Sequence, residues 1–178
     1  MPTRLRRSRL LLRLKLPDPL ADGAKDGDRR FQEALDWAFK FLSRRERTEA
    51  QVLARLERDG VEQPLAAEVV VQLVADGYLS DERYAVLYAE DRRSLDGWGN
   101  ERIAAHLQEA GIPRGTIETV VGSRGHEDQV DDAIRVLDLR IGSAPTDPRE
   151  RERALGVLAR RGYSLEIAYD AVRAFERR

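Results

Sequence analysis

The feature that most constrains this sequence is an internal repeat with a period of 51 residues. Glycines recur at this interval at Gly60, Gly111 and Gly162, and each has a leucine four residues before it and an apolar residue directly after it. Other apolar columns share the interval: Val52, Ile103 and Ala154; Ala66, Ile117 and Ala168; Val70, Val121 and Val172. A period of this length is typical of stacked supersecondary units, each of which buries its apolar face against its neighbours.

Each repeat is predicted to contain three helices. In the first, Thr48 is placed to cap a helix, and Gly60 stands where a helix ends in a left-handed residue. Ser80 and Asp147 are predicted caps of later helices, and Pro148 suits the first helical position. The predicted helices span residues 31–42, 48–59, 64–76, 81–94, 100–110, 113–122, 127–140, 148–161 and 164–176. We therefore expect an all-α fold, an elongated, curved array of three tandem three-helix repeats over residues 31–79, 80–125 and 126–178.

A basic arm precedes the repeats. Residues 17–28, PDPLADGAKDGD, are rich in proline, glycine and aspartate, which predicts a flexible acidic linker. The pattern LLLRLKL before it fits an edge strand or a short helix equally well. The arm either contacts a DNA backbone or an acidic partner, or is a disordered tail. Its basic residues, with no acid among residues 1–16, are Arg4, Arg6, Arg7, Arg9, Arg13 and Lys15.

The composition excludes several classes of protein. The chain has no cysteine, which excludes disulfides, thiol catalysis and cysteine-bound zinc. The formal net charge is −1, so the six positive charges of the arm leave −7 for the rest, and any basic surface on the repeats must be local. No apolar run is long enough to cross a membrane, and no secretory signal is evident, so we expect a cytoplasmic protein.

Catalytic constellations are also missing from the sequence. His106 is expected at the surface or partly packed, and His126 beside two acids lacks a converging metal-ligand geometry. The segment DGWGN has no phosphate-loop lysine, and no serine lies in a nucleophile-elbow sequence. We expect neither an enzyme nor a cofactor or metal.

Arginines cluster at two related places, around the second helix of the first repeat and that of the third. At a helix start, arginine opposes the macrodipole by a few tenths of a kcal/mol. The clusters either pair with neighbouring glutamates and solubilise the surface, or bind phosphates or an acidic protein surface. The candidate contact residues, with a single one in the second repeat, are Arg44, Arg45, Arg47, Arg55, Arg58, Arg102, Arg149, Arg151, Arg153, Arg160 and Arg161.

Aromatic residues near the first cluster have two interpretations. Trp37 and Phe41 are four residues apart, which favours core packing over stacking on single-stranded nucleic acid. Phe39 lies off that face and is expected to be exposed or to pack on another element. Trp98, between two glycines, fits packing and exposed contact equally.

Several segments resemble the RecX family, the regulators of the bacterial RecA recombinase. They are FLSRRERTEAQVLARLERDGV, VADGYLSDERYA, RIAAHLQEAGI and LARRGYSLEIAYDAV, in the family's order between about Phe31 and Phe175. The more specific parts are the start Arg45-Glu46-Arg47-Thr48 and the segment from Gly77 to Ala85. The resemblance implies a modular, elongated helical protein of three three-helix repeats.

The resemblance also implies a function. Family members bind along the groove of RecA filaments, inhibit recombinase, ATPase and coprotease activities, and so temper recombination and the SOS response. Some bind DNA, single- or double-stranded, which we expect to be weak for this chain alone, and we expect a monomer. Two features depart from the family: the second repeat offers only Arg102 near its DGWGNERIAAHL segment, and the basic arm is not shared. A DNA-binding protein without a recombinase partner and a helical-repeat adaptor are the alternatives.

Overall fold

The structure, a computed structural model, describes residues 19–178. Over this range the chain forms nine α-helices and one π-helical segment, with no strand in these residues. The predicted all-α fold of tandem three-helix units is thereby confirmed. The helices are α1 (Pro19–Leu42), α2 (Glu49–Arg58), α3 (Gln63–Ala75), α4 (Asp81–Asp91), α5 (Asn100–Glu109), α6 (Arg114–Gly122), α7 (His126–Arg140), α8 (Pro148–Ala159) and α9 (Leu165–Glu176), with the π-helical segment at Arg92–Asp96.

The predicted helix ends form as expected. The Thr48 hydroxyl accepts the Gln51 N–H at 3.1 Å and so caps α2. Gly60, Gly111 and Gly162 all have positive φ, and the N–H after each donates to the carbonyl of the repeated leucine, as the Val61 N–H does to the Leu56 carbonyl at 3.0 Å. The repeat therefore encodes the same helix stop three times.

Three separate apolar clusters fill the three units. The cluster between α1, α2 and α3 has Val52, Leu56 and Leu73 at its centre. Ile103 and Leu107 lie in the second cluster, which α4, α5 and α6 enclose. The third is the largest and lies between α7, α8 and α9. Because each unit buries its own core, contacts between units are confined to small junctions.

The two junctions lie at equivalent positions of the repeat, 51 residues apart. At the first, the start of α2 meets the turn after α5, where the buried Thr48 hydroxyl donates to the Ala110 carbonyl at 2.7 Å. At the second, the start of α5 meets the turn after α8, where the Gly99 N–H donates to the Arg161 carbonyl at 2.8 Å and the Glu101 N–H to the Gly162 carbonyl at 3.0 Å. The repeat therefore governs the stacking as well as the fold of each unit.

Two sequence predictions about the helices need correction. The linker predicted for residues 17–28 is wrong from Pro19 onward, because α1 begins there. Proline is tolerated in a first turn, and each residue added to an existing helix gains a hydrogen bond, so α1 extends backward from its periodic part. The fourth helix, predicted to reach residue 94, ends at Asp91 and continues as the π-helical segment to Asp96. The predicted basic arm, residues 1–16, lies outside the described residues.

None of the helices in residues 19–178 is both long and apolar enough to cross a membrane.

Candidate functional site

The most concentrated basic site that the sequence predicted lies at the end of α1, against the start of α2. It is an open cavity of about 590 Å³. We call it the first-unit pocket, and its lining residues are Trp37, Lys40, Phe41, Arg44, Arg47, Arg55 and Asp59. It unites three of the predicted contact residues, Arg44, Arg47 and Arg55, with an aromatic wall.

The aromatic wall corrects the prediction that Trp37 belongs to the core. Trp37 is 43% exposed. The face of α1 that contacts the other helices is instead built on Ala34 and Ala38, whose small side chains let the helices approach closely. Phe39 packs edge-on against Tyr78 with ring centroids 4.9 Å apart, in agreement with one of its two predicted alternatives. Trp37 therefore presents a large aromatic surface to the pocket.

The cations of the first-unit pocket are poorly neutralised. Its single carboxylate, Asp59, is already bound by Arg55 at 2.7 Å. The Arg47 guanidinium lies over the Phe41 ring at 4.2 Å from its centroid, and its Nε is buried without a hydrogen-bond acceptor among the described residues. Burial lowers the pKa of Arg47, and the positive charges of Arg45, Arg44 and Arg55 add to this effect. An anion in the pocket would relieve that repulsion.

These features define what the first-unit pocket can bind. Arginine guanidinium groups donate paired hydrogen bonds to phosphates or carboxylates. An exposed tryptophan face offers a stacking surface for a base, an interaction worth about 1–3 kcal/mol for each base. Proteins that bind single-stranded nucleic acid combine cations that contact the backbone with aromatic side chains on which the bases stack.

The predicted residues of the second and third repeats play a different part. Arg102, Arg160 and Arg161 converge with Arg140 on a small cavity of about 310 Å³. The Arg102 guanidinium lies over Trp98 at 4.1 Å and donates to the Arg160 carbonyl at 3.0 Å, while Arg161 donates to the Asp96 carbonyl at 3.2 Å. Arg102 and Arg161 therefore help to join the second unit to the third.

The other predicted residues are dispersed. Arg151 forms an ion pair with Glu176 at 2.7 Å. Arg58 is exposed beside the first-unit pocket but does not line it. Arg45, Arg149 and Arg153 are exposed as well. The third-repeat cluster is thus not gathered into a cavity comparable to the first-unit pocket.

Sequence reasoning missed Lys40 and the exposure of Trp37. A usable signal was present, because Trp37, Lys40 and Arg44 are spaced by three and four residues, which places them on one stripe of α1 and its extension. Trp98, by contrast, is half-buried in the core of the second unit, so packing is the correct one of its two predicted alternatives. His106 is exposed and stacks on Tyr88 with ring centroids 4.8 Å apart.

The comparison with known families matches the first two units. The family model described as RecX, first three-helix domain, matches residues 34–73. The one described as RecX, second three-helix domain, matches residues 80–121. The first match begins within α1 and ends near the end of α3, and the second covers α4 to α6.

Curated relatives extend the similarity over most of the chain. Regulatory protein RecX of Mycobacterium sp. (strain KMS) is 28% identical over 162 residues, which cover 88% of this chain and 86% of the relative. Regulatory protein RecX of Leuconostoc mesenteroides is 32% identical over 159 residues, covering 86% of this chain and 58% of that longer relative.

Solved structures share the fold. The crystal structure of RecX from Lactobacillus salivarius superposes with a TM-score of 0.77 at 18% identity, over 85% of this chain and 99% of that one. A second crystal structure, of a regulatory protein RecX, gives a TM-score of 0.74 at 20% identity over 88% and 78% of the two chains.

Proposed function

We propose, since this chain belongs to the RecX family of regulatory proteins, that it is a non-enzymatic negative regulator of the RecA recombinase. It binds along the groove of the recombinase–DNA filament in the cytoplasm, as a monomer. Binding lowers ATPase, strand-exchange and coprotease activities, and thereby tempers recombination and the SOS response.

The observation that supports this proposal is the first-unit pocket. Four cations, one already paired carboxylate and an exposed tryptophan suit the phosphates and bases of filament DNA. Outside the arm, residues 17–178 carry a net charge of −7, so the attraction of the repeats to DNA depends on this local site rather than on bulk charge.

The test is a titration of the protein into recombinase that hydrolyses ATP on single-stranded DNA, with co-sedimentation of the filament. The wild type is expected to lower the rate and to sediment with filaments. Trp37→Ala removes a stacking face, and Arg44→Gln removes a cation that has no ion pair among the described residues. Each is expected to raise the concentration needed for half-inhibition about tenfold, which corresponds to about 1.4 kcal/mol.

Arg58→Gln is the matched control for this titration. It removes a positive charge from the same sequence cluster but outside the first-unit pocket, and it should change half-inhibition less than about twofold. Circular dichroism verifies that all variants are folded. If the wild type neither inhibits nor sediments with filaments, the proposed function is wrong. If the wild type inhibits and the pocket variants inhibit equally well, the pocket is not the contact site.

The first-unit pocket also favours a second candidate function, sequence-independent binding of DNA without a recombinase. This candidate predicts that affinity for bare DNA is high, falls steeply with salt, and depends on the six basic residues of the arm. A variant with those six residues replaced by glutamine separates the two candidates. If it still inhibits the recombinase fully, the arm is accessory and the second candidate fails.

A further inference from the structure

A second and larger concavity lies between the second and third units. It has a volume of about 670 Å³. We call it the junction groove, and the residues used below to describe it are Arg93, Leu95, Asp132, Leu139, Arg140 and Arg161. Of these, only Arg161 was predicted to make contacts, and the groove is separate from the first-unit pocket that supports the proposed function.

The wall of the junction groove is an unusual backbone segment. After α4 the chain forms the π-helical segment, which ends at Asp96 and is followed by Gly97 with φ of 64°. A Cβ at Gly97 would lie 2.6 Å from a methyl of Val136, so the segment lies directly against α7. π-Helical turns inside α-helices are rare and frequently mark functional sites. Here the segment places Leu95 and Arg93 beside the groove.

Two leucines give the junction groove an apolar surface. Leu95 is 75% exposed and Leu139 is 83% exposed, and both line the groove. A leucine left in water forgoes the free energy that burial of its side chain would supply. Exposed apolar side chains that line one concavity mark an interaction site more often than scattered ones do.

The charges of the junction groove fall into two groups. Asp132 is only 8% exposed and is neutralised, because Arg124 donates to both of its oxygens, at 3.0 and 2.9 Å, and Arg135 also contacts it. Arg93 and Arg161, by contrast, donate to neutral acceptors: Arg93 to the Asn100 side chain at 3.0 Å, and Arg161 to a backbone carbonyl. Neither arginine forms an ion pair among the described residues, and the charge of Glu90 offsets only part of the lowering of the Arg93 pKa.

The environments of Arg93 and Arg140 also favour an anionic partner. Burial lowers the pKa of Arg93, and the charge of Arg124 adds to the effect. Arg140 is exposed at the end of α7, where no carboxylate among the described residues forms an ion pair with it. Carboxylates brought by a partner would find charge-assisted donors here.

We propose that the junction groove binds a protein segment in which carboxylates flank a large aliphatic side chain. Carboxylates pair with Arg93, Arg140 and Arg161, and the aliphatic side chain covers Leu95 and Leu139. Identifying that segment with the recombinase subunits of the filament rests on the proposed function, whereas the chemistry of the groove does not.

Nucleic acid fits the junction groove less well than this segment does. No aromatic side chain lines it, so it has no stacking platform, in contrast to the first-unit pocket. Of the three carboxylates along it, Asp132 is neutralised by Arg124 and Arg135, and Asp96 is paired with Arg92. Glu90 is the lining carboxylate that would repel a continuous row of phosphates, whereas separate carboxylates on a peptide can lie away from it.

The experiment uses the full chain with Leu95 and Leu139 both changed to serine. Their exposure means that the double variant should fold, and Leu165→Ser, at a leucine that is 68% exposed on α9, is the matched control. Co-sedimentation measures affinity for recombinase filaments, and fluorescence anisotropy measures affinity for bare single-stranded DNA. The double variant is expected to lose about tenfold in filament affinity, with less than about twofold change on bare DNA and none in the control.

A second arm does not depend on the recombinase. Isotope-labelled protein is titrated by NMR with a soluble peptide that has glutamates around one leucine, and with its lysine-for-glutamate twin. The glutamate peptide alone should shift the amide signals of Leu95, Leu139 and Arg140. If the glutamate peptide shifts these signals while the wild-type protein does not bind filaments, the peptide-binding role of the groove is supported and the proposed function is wrong.

Two results would overturn the inference. The first is an equal loss of filament and bare-DNA affinity in the double variant, which would make the groove a nucleic-acid site. The second is the absence of any groove shift at about 1 mM peptide together with unchanged filament affinity, since contacts weaker than this contribute less than about 4 kcal/mol to binding.

Discussion

Thr48→Val is the substitution that most directly measures how the first unit is joined to the second. The Thr48 side chain is completely buried. Its oxygen accepts the Gln51 N–H at 3.1 Å, and its hydroxyl proton goes to the Ala110 carbonyl at 2.7 Å. Valine has the same shape but can do neither, so the substitution removes one hydrogen bond within a unit and one between units.

The two losses can be estimated separately. An N-cap hydroxyl contributes about 1 kcal/mol to stability. Leaving a buried carbonyl without its donor costs about 1–3 kcal/mol. Thr48→Val is therefore expected to lower the free energy of unfolding by about 2–4 kcal/mol.

Ser80→Ala is the matched control, because Ser80 caps α4 through the Arg83 N–H at 3.1 Å and its side chain has no hydrogen bond to another unit among the described residues. It is expected to cost about 1 kcal/mol. Urea unfolding followed by far-ultraviolet circular dichroism gives both values, and Thr48→Ser, which keeps the hydroxyl, should restore most of the loss. A Thr48→Val cost no larger than that of Ser80→Ala would refute the assignment of the Ala110 hydrogen bond as the tie between the units.

Two further predictions concern the same junctions. In urea unfolding, Gly162→Ala should destabilise the chain by about 1–3 kcal/mol more than Gly60→Ala. Both glycines have positive φ, but a Cβ at Gly162 would lie 2.4 Å from Arg102, whereas a Cβ at Gly60 would meet no atom of the described residues within 4 Å. Equal losses of stability would contradict the close packing at Gly162. Asp81→Asn should not destabilise the protein at neutral pH, because burial raises the pKa of Asp81 and so disfavours its charged form. In the wild type the Asp81 carboxylate accepts the Glu49 N–H at 2.9 Å, and the amide oxygen of asparagine can accept it in the same way. A raised folded-state pKa means that the contribution of Asp81 to stability is present below its ordinary value of 3.8 and is lost as the pH rises through the raised pKa. In unfolding measured across pH, the wild type should therefore gain stability relative to Asp81→Asn on acidification, and a constant difference would contradict this.

The parts of the fold that the sequence predicted are those set by local chemistry. Thr48 and Ser80 cap helices, and Gly60 ends one, because the backbone conformation at each place needs that residue type. The same helix-ending glycine and flanking apolar residues recur at intervals of 51 residues in the other units. Local chemistry misled at α1, where Pro19 begins a helix in a segment of linker composition, and after Asp91, where the predicted fourth helix changes to the π-helical segment.

The parts that escaped prediction depend on how the units meet. Trp37 was assigned to the core because its spacing to Phe41 is helical, yet the face of α1 that contacts its neighbours belongs to Ala34 and Ala38. The junction groove draws residues from four separate segments, and its π-helical wall at Arg92–Asp96 has no counterpart among the described residues of the other units. A repeat reports what the units share, so a site built from their differences leaves no periodic signal.

The junctions hold the two candidate surfaces at a fixed spacing, and this spacing matters for the proposed binding to a protein–DNA filament. The first-unit pocket offers cations and an aromatic face, whereas the junction groove offers cations and leucines. Each alone is a small site, but two sites on one array act at high effective concentration if their spacing matches that of the ligand. That spacing is set by the hydrogen bonds of Thr48 and Gly99 at the junctions. Under the proposed function, affinity for a filament should therefore depend on residues that touch neither surface, and the free energy of the Thr48 hydrogen bond to Ala110 should affect binding as well as stability.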